Sequence, residues 1–234
     1  MLFTNDPEWA SRITSPESGP DKTYHVQVDC IPDAAMLAKI QAGATGYDIV
    51  FPSVHMNDIM IKLGLLEKTG INESPDFKNI DPAFLRAKED PASEYCLPYA
   101  WGAVGIFYNK KVVGGEIKSW KDFFDYAAKN PGRVTMLDDM RETLGVGLIL
   151  DGKSVNSRDP EEIKAAEEFI LSQKANIAAF RYDVTPLIES GDIGAAHWYV
   201  GAVLNANRRP DELAFIVPEE GATMYQEDLC MLKT

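Results

Sequence analysis

Two carboxylates three residues apart stand where a predicted strand is followed by a predicted helix. Asp139 and Glu142 come directly after the apolar run at residues 134–137. Because residues three apart lie on one face of a helix, both carboxylates could converge on a single cation. The same Asp-x-x-Glu spacing is that of a capping box, in which acids accept hydrogen bonds from free backbone N–H groups. Spacing alone leaves both interpretations open.

A serine and a histidine follow the end of another apolar run, at residues 47–51. Ser53 is a typical helix N-cap, and capping could be its whole role. His55 could donate or accept a hydrogen bond at the rim of a site, although a lone histidine is more often structural. Both residues are candidates because ligands of α/β proteins bind beyond the carboxyl ends of strands.

Aromatic and acidic residues combine near two further strands, with Trp198 in one and Tyr225 and Glu227 in the other. An aromatic face beside carboxylates attracts an ammonium group through a cation–π contact of roughly 0.5 to 2 kcal/mol. The alternative for Trp198 is that it fills the core. Taken one at a time, these residues do not decide between a cation site and a hydrophobic interior.

Enzyme motifs are missing from the sequence. It contains no P-loop, no dinucleotide-binding glycine pattern, no nucleophile elbow and no HExxH helix. Asp139 with Glu142, or Cys96 with a histidine, could be drawn as catalytic pairs, but the sequence offers no third group to orient them. We therefore expect a binding protein without metal or cofactor, and no catalytic residues.

The elements that hold these residues alternate between strand and helix, which predicts an α/β fold with open, mostly parallel sheets and helices on both faces. Strands are predicted at residues 24–29, 47–51, 134–137, 194–200, 214–218 and 228–232, and helices at 32–41, 57–66, 120–128, 141–150 and 159–173.

The apolar stretch at residues 95–109 is too long for one ordinary strand and contains Pro98, Gly102 and Gly105. We expect two strands joined by a bend there, because glycine permits a change of backbone direction. This stretch is the predicted first crossover between two lobes.

Composition describes an ordinary soluble globular protein. The chain has 234 residues, of which 45% are hydrophobic and 25% charged, and its net charge is −13. This acidity disfavours nucleic acid and anionic membranes as partners and suits a cationic or neutral ligand. No stretch approaches the roughly 18 apolar residues of a membrane span, and residues 1–6 do not have a signal-peptide pattern.

The three cysteines, Cys30, Cys96 and Cys230, show no CxxC spacing, which argues against a structural zinc site or a disulfide framework. One pair at most could form a disulfide. Because all three lie in apolar, strand-like runs, we expect buried free thiols.

An ordered set of motifs resembles one known family. Residues 46–53 (GYDIVFPS), 97–102 (LPYAWG) and 138–142 (DDMRE) are similar to motifs of the periplasmic polyamine-binding proteins of bacterial ABC importers. The resemblance runs from about residue 24 to the C-terminus. It implies a periplasmic-binding-protein fold in which two lobes close on putrescine or spermidine, with ammonium ends on carboxylates and the aliphatic stem against aromatic rings.

Carried over position by position, the resemblance implies ligand contacts. The implied binding residues are Ser53, His55, Asp139, Glu142, Trp198, Tyr225 and Glu227. His55 stands where the family often has tyrosine, Tyr225 where it often has tryptophan, and Glu227 where it has aspartate. These departures leave open a receptor for a different small solute, or an α/β enzyme using Asp139 and Glu142.

The resemblance also implies domain organisation and partners. Residues 1–103 would form the first lobe, 104–225 the second, and 226–234 a strand returning to the first, with hinges at 101–105 and 225–228. The protein would serve an ABC transporter permease from the periplasm or, membrane-anchored, from the cell exterior. The family continues beyond the equivalent of Thr234, so we expect the lobe-completing segment to be absent and exposed sheet surface to favour self-association.

Overall fold

The computed structural model describes residues 40–41, 47–85 and 88–233, and this part of the chain forms a mixed α/β structure. The predicted strand at residues 24–29, nearly all of the predicted helix at 32–41, and Cys30 lie outside the described residues. The strands are β1 (Ile49–Val50), β2 (Cys96–Asn109), β3 (Val134–Met136), β4 (Ile177–Phe180), β5 (Ala195–Tyr199), β6 (Leu213–Ile216) and β7 (Met224–Met231).

Helices connect these strands. The α-helices are α1 (Val54–Lys62), α2 (Lys110–Val113), α3 (Trp120–Lys129), α4 (Met140–Leu150), α5 (Pro160–Gln173), α6 (Thr185–Ser190) and α7 (Val203–Arg208). Short 3-10 helices span Ile71–Glu73, Pro75–Asn79, Pro82–Phe84, Lys174–Asn176 and Val200–Ala202.

Local capping explains where the strongest helices begin. The Ser119 hydroxyl accepts from the Asp122 N–H at 2.9 Å and starts α3. The Asp159 carboxylate accepts from the Glu161 N–H at 2.9 Å and starts α5, whose first residue is a proline. Both helices were predicted from these cap residues, and both predictions are confirmed.

The sheet is mixed, with the strand order β1-β7-β2-β5-β3-β4 and β6 paired to β2. In the described part, β2 is antiparallel to β5, β6 and β7, and β7 is antiparallel to β1, whereas β3 is parallel to β4 and β5. The predicted α/β class is confirmed, but the described strands are not mostly parallel. The described strands are not mostly parallel because β2, the longest of them, forms a long antiparallel pair with β7.

The stretch predicted as two strands joined by a bend is one 14-residue strand, β2, so that prediction is wrong. A register shift between Pro98 and Ala100 absorbs the proline. Gly102 and Gly105 serve close packing instead of a bend, because a Cβ at Gly102 would lie 2.4 Å from the Tyr225 hydroxyl and one at Gly105 2.2 Å from a backbone carbonyl.

The partner of β2 changes along its length. Residues 96–103 pair with β7, and residues 104–109 pair with β5 and β6. A single strand therefore runs through two different sets of neighbours, with the change between Ala103 and Val104.

Three hydrophobic clusters hold the described part together. The largest surrounds Trp120 and Phe123 of α3, a second surrounds Phe107 and Ile188, and a third lies between α1 and the paired strands β1 and β7. Cys96 and Cys230 belong to the third cluster and form a disulfide between directly opposed residues of β2 and β7. The expectation of free thiols is wrong for this pair, because antiparallel pairing brings two cysteines 134 residues apart to a Cα–Cα distance of 4.5 Å.

Candidate functional site

Glu227 lies at the middle of the site, on β7. It pairs with Ala100 of β2 and also forms an isolated β-bridge with Ser53, just before α1. Its side chain is half-buried, and burial raises the pKa of its carboxyl. Among the described residues its carboxylate has neither a hydrogen-bond donor nor an ion-pair partner.

The next residue along β7 shows the opposite situation. Asp228 is buried, and its carboxylate accepts hydrogen bonds from the amides of Asn57 at 2.7 Å and Gln226 at 2.8 Å. Successive side chains of a strand point to opposite faces. Asp228 is thus a structural acid on one face of β7, and Glu227 is an acid on the other face with capacity for a ligand.

Ser53 and His55 stand beside Glu227 at the start of α1. The Ser53 side chain does not cap the helix. The backbone carbonyl of Ser53 accepts a hydrogen bond from the Met56 N–H at 2.8 Å, and the Ser53 hydroxyl lies 3.2 Å from Nε2 of His55. Although His55 is solvent accessible, desolvation by surrounding atoms lowers its pKa, and Arg141 lowers it further, whereas Asp139 raises it. The charges of two residues at the start of α4, Asp139 and Arg141, therefore act on His55.

Asp139 is both a helix cap and an acid of the site. Its Oδ1 accepts from the Glu142 N–H at 3.0 Å, so the capping interpretation is confirmed for this residue. Capping uses one carboxylate oxygen and leaves the charge, which acts on His55 and on Tyr199. The nearby guanidinium of Arg141 bonds Asn156 at 2.6 Å instead of pairing with an acid.

Glu142 does not complete the capping box. It is 7% exposed, and its carboxylate accepts a hydrogen bond from the Thr223 hydroxyl, just before β7. Burial raises its pKa most; the charge of Asp139 also raises it, and the Thr223 hydrogen bond lowers it. The contact ties the start of α4 to the strand that carries Glu227.

Two tyrosines line the space between these acids. The rings of Tyr199 and Tyr225 meet edge to face with centroids 5.3 Å apart. Burial raises the pKa of Tyr225, and the charges of Glu227 and Glu142 raise it further. Burial likewise raises the pKa of Tyr199 most. The nearby acidic groups raise it further; these are Asp139, Tyr182, Glu142 and Glu227.

Trp198 is placed differently. It is half-buried and packs against the second hydrophobic cluster, and its ring centroid lies 5.7 Å from that of Tyr199. Trp198 is opposite Gly105 of β2 and Tyr199 is opposite Val104, so the two side chains leave β5 on opposite faces. The aromatic residue of this pair that meets the acids is Tyr199, which sequence analysis missed; its signal was the alternation along β5.

The structure therefore brings six of the seven predicted site residues into one region, and Tyr199 joins them. Those six are Ser53, His55, Asp139, Glu142, Tyr225 and Glu227. Asp139, Glu142 and Glu227 form no described ion pair, although the charge of Arg141 acts on Glu142 and lowers its pKa. Such a site favours a cationic ligand over an anion.

The described residues provide neither a metal-binding cluster nor a membrane-spanning helix. Within it, no three His, Cys, Asp or Glu side chains are grouped so that they could hold a metal ion. Across the same residues, no helix is both long and apolar enough to cross a membrane.

Sequence comparison connects the chain to solute-binding proteins. The family model described as bacterial extracellular solute-binding protein matches residues 22–234. The chain is 32% identical over 200 residues to the spermidine/putrescine-binding periplasmic protein of Salmonella typhimurium, covering 84% of this chain and 57% of the relative. It is 30% identical over 210 residues to the putrescine/cadaverine-binding protein of Pseudomonas aeruginosa, covering 85% of this chain and 59% of the relative.

A solved structure has the same fold. The TpPotD lipoprotein of Treponema pallidum superposes with a TM-score of 0.75 at 32% identity, over 85% of this chain and 64% of that one. The predicted periplasmic-binding-protein-like class is confirmed. The chain spans less than two thirds of the length of each of these relatives, from 57% to 64%.

Proposed function

Because this chain belongs to the bacterial extracellular solute-binding protein family, we propose that it binds a polyamine such as putrescine or spermidine for delivery to an ABC importer. The observation that carries the proposal is the group of three acids, Asp139, Glu142 and Glu227, which form no ion pair among the described residues and whose charges act on two tyrosines. Burying an ammonium group is costly unless an acid pairs with it.

The ligand would lie across the region between α1 and α4. One ammonium group would bind Glu227, and Asp139 with Glu142 would hold the other positive charge. Tyr225 supplies an aromatic surface for the aliphatic stem, whereas Trp198 packs against the second hydrophobic cluster on the other face of β5. Ser53 and His55 would close the rim beside Glu227, where the serine hydroxyl and the imidazole are 3.2 Å apart.

The two-lobe organisation belongs to the same proposal. Residues 1–103 would form the first lobe, 104–225 the second, and 226–234 the return to the first. The change of partner along β2 between Ala103 and Val104 supports a hinge there, with β7 as the second connection. Closure of the lobes would bring Glu227 and the start of α4 together around the ligand.

Location and partners follow from this function. The protein would act in the periplasm or on the outer surface of a membrane and would dock on a permease when closed, without catalysing a reaction. Self-association is a further expectation, supported by exposed Ile49 and Met231, neighbours on the paired strands β1 and β7.

Calorimetric titration with putrescine, spermidine and the neutral diol that has the same four-carbon chain as putrescine tests the proposal. We expect the amines to bind and the diol not to, because only the amines offer charges to the three acids. Glu227→Gln should weaken amine binding roughly tenfold or more. The matched control is Glu167→Gln, which removes an exposed charge of α5 and should bind as the wild type does. Equal binding of amine and diol, or of neither, would reject the polyamine assignment.

A further inference from the structure

The hydroxyl of Tyr199 is buried and has no hydrogen-bond partner within the described residues. A buried phenol usually places its hydroxyl against a polar group, because leaving it unpaired costs stability. Few side-chain atoms of the described chain are in this situation; the others are the hydroxyl of Thr135, Nδ1 of His197 and Oε1 of Gln226. Gln226 lies on the face of β7 that carries Asp228, whereas Tyr199 is subject to the charges of Asp139, Glu142 and Glu227.

Backbone pairing places Tyr199 close to the segment that holds Glu142. Tyr199 is opposite Val104 in the β2–β5 pair, and the Val104 N–H donates to the Thr223 carbonyl at 3.0 Å. The Thr223 hydroxyl in turn bonds Glu142. Tyr199 and Thr223, the residue that holds the Glu142 carboxylate, therefore both neighbour Val104 of β2.

The second acid is approached through Tyr225. Its ring meets that of Tyr199 at 5.3 Å and lies over Gly102, where no side chain intervenes. Glu227 is two residues further along β7 and on the same face. A ligand with one charge held by Glu142 and another held by Glu227 would thus face the two tyrosines.

The two tyrosines offer an ammonium group two kinds of contact. Aromatic faces and carboxylates attract any cation, including a quaternary ammonium group. A phenol oxygen adds an acceptor, which only an ammonium group that carries N–H can use. Tyrosine is neutral at physiological pH, and burial raises the pKa of Tyr199 further, so the phenol offers a hydrogen bond and not a further charge.

We propose that the Tyr199 hydroxyl accepts a hydrogen bond from the ligand ammonium group and makes the site select N–H-bearing amines over quaternary ones. The inference rests on the proposed function, since it assumes that an amine occupies the acidic site. It adds a specificity-determining residue that lies outside the set predicted from sequence.

The test compares two ligands in two proteins by calorimetry: putrescine and its bis(trimethylammonium) analogue with the same four-carbon chain, each with wild type and Tyr199→Phe. We expect the wild type to prefer putrescine. The substitution should weaken putrescine binding roughly tenfold or more and change binding of the analogue by less than about twofold. A merely structural role of Tyr199 would weaken both ligands alike.

Tyr126→Phe is the matched control, because Tyr126 packs against the largest hydrophobic cluster, away from the acids. It should leave both affinities unchanged. If Tyr199→Phe binds putrescine as tightly as the wild type, or loses both ligands equally, the assignment of Tyr199 is overturned while polyamine binding stands. If the wild type binds neither ligand, the proposed function fails and the assignment falls with it.

Discussion

The hydroxyl of Thr223 donates a hydrogen bond to the buried carboxylate of Glu142. This contact joins the first turn of α4 to the segment that enters β7, 81 residues further along the chain. It holds one acid of the proposed site beside the segment that leads into the strand carrying another, Glu227. The position of Glu142 relative to the start of β7 is therefore set in part by this side-chain hydrogen bond.

Replacing Thr223 with valine should destabilise the protein. The change keeps the shape of the side chain but leaves a buried carboxylate without its donor, at an expected cost of about 1–3 kcal/mol in the free energy of unfolding. Because the hydrogen bond lowers the pKa of Glu142, its loss should raise that pKa further. Urea unfolding at neutral pH measures the loss of stability.

Thr135→Val is the control for this change. Thr135 is fully buried in β3, and its hydroxyl has no partner within the described residues. Removing an unpaired buried hydroxyl should leave the free energy of unfolding unchanged or increase it. Equal destabilisation by both substitutions would show that the Thr223 hydroxyl has no special role.

Glu227 should make the ligand-free protein less stable as pH rises. Its folded-state pKa is raised from the ordinary 4.5 by burial, so the folded state binds more protons than the unfolded state above about that pH. Stability is then highest below the unfolded-state pKa and is lost as pH rises through the folded-state pKa. Glu227→Gln removes this loss and should be more stable than the wild type at neutral pH.

Urea unfolding of both proteins between about pH 4 and pH 8 measures the difference. We expect the curves to agree at the acidic end and to separate as pH rises. Glu167→Gln should follow the wild type throughout, because Glu167 is exposed on α5. A Glu227→Gln variant less stable than the wild type at neutral pH would contradict burial as the cause of the raised pKa.

The disulfide between Cys96 and Cys230 should be measurable by counting thiols. The chain has three cysteines, so unfolded but unreduced monomer should expose at most one thiol, that of Cys30, and reduction should release three. Replacing both bridged cysteines with alanine should cost about 2–5 kcal/mol in the free energy of unfolding, because the bridge closes a long loop. Three reactive thiols before reduction would contradict the bridge.

Local signals in the sequence predicted local structure well. Ser119 and Asp159 mark the starts of α3 and α5 because a cap depends on residues within one turn. The disulfide and the continuity of β2 depend on pairing with β7, more than a hundred residues away in the chain. No pattern within residues 95–109 could reveal that partner.

The candidate site was likewise predictable from sequence only in part. Asp139, Glu142 and Glu227 were predicted from motifs, and the structure brings them into one region. The choice between Trp198 and Tyr199 depends on which face of β5 meets the acids, and the alternation along β5 separates the two side chains without showing which face that is. The sequence also could not show that Asp139 is both a helix cap and a charge of the site, because an aspartate at this position is compatible with either role.

The most direct test of the account separates these two roles of Asp139 by titrating putrescine into wild type, Asp139→Asn and Asp159→Asn. Asparagine caps helices about as well as aspartate. The free energy of unfolding of both variants should therefore stay within about 1 kcal/mol of the wild-type value. Only Asp139→Asn removes a charge from the site, and we expect it to weaken putrescine binding roughly tenfold or more while Asp159→Asn binds normally. Unchanged binding by Asp139→Asn, or no binding by the wild type, would contradict the proposal that these acids hold a polyamine.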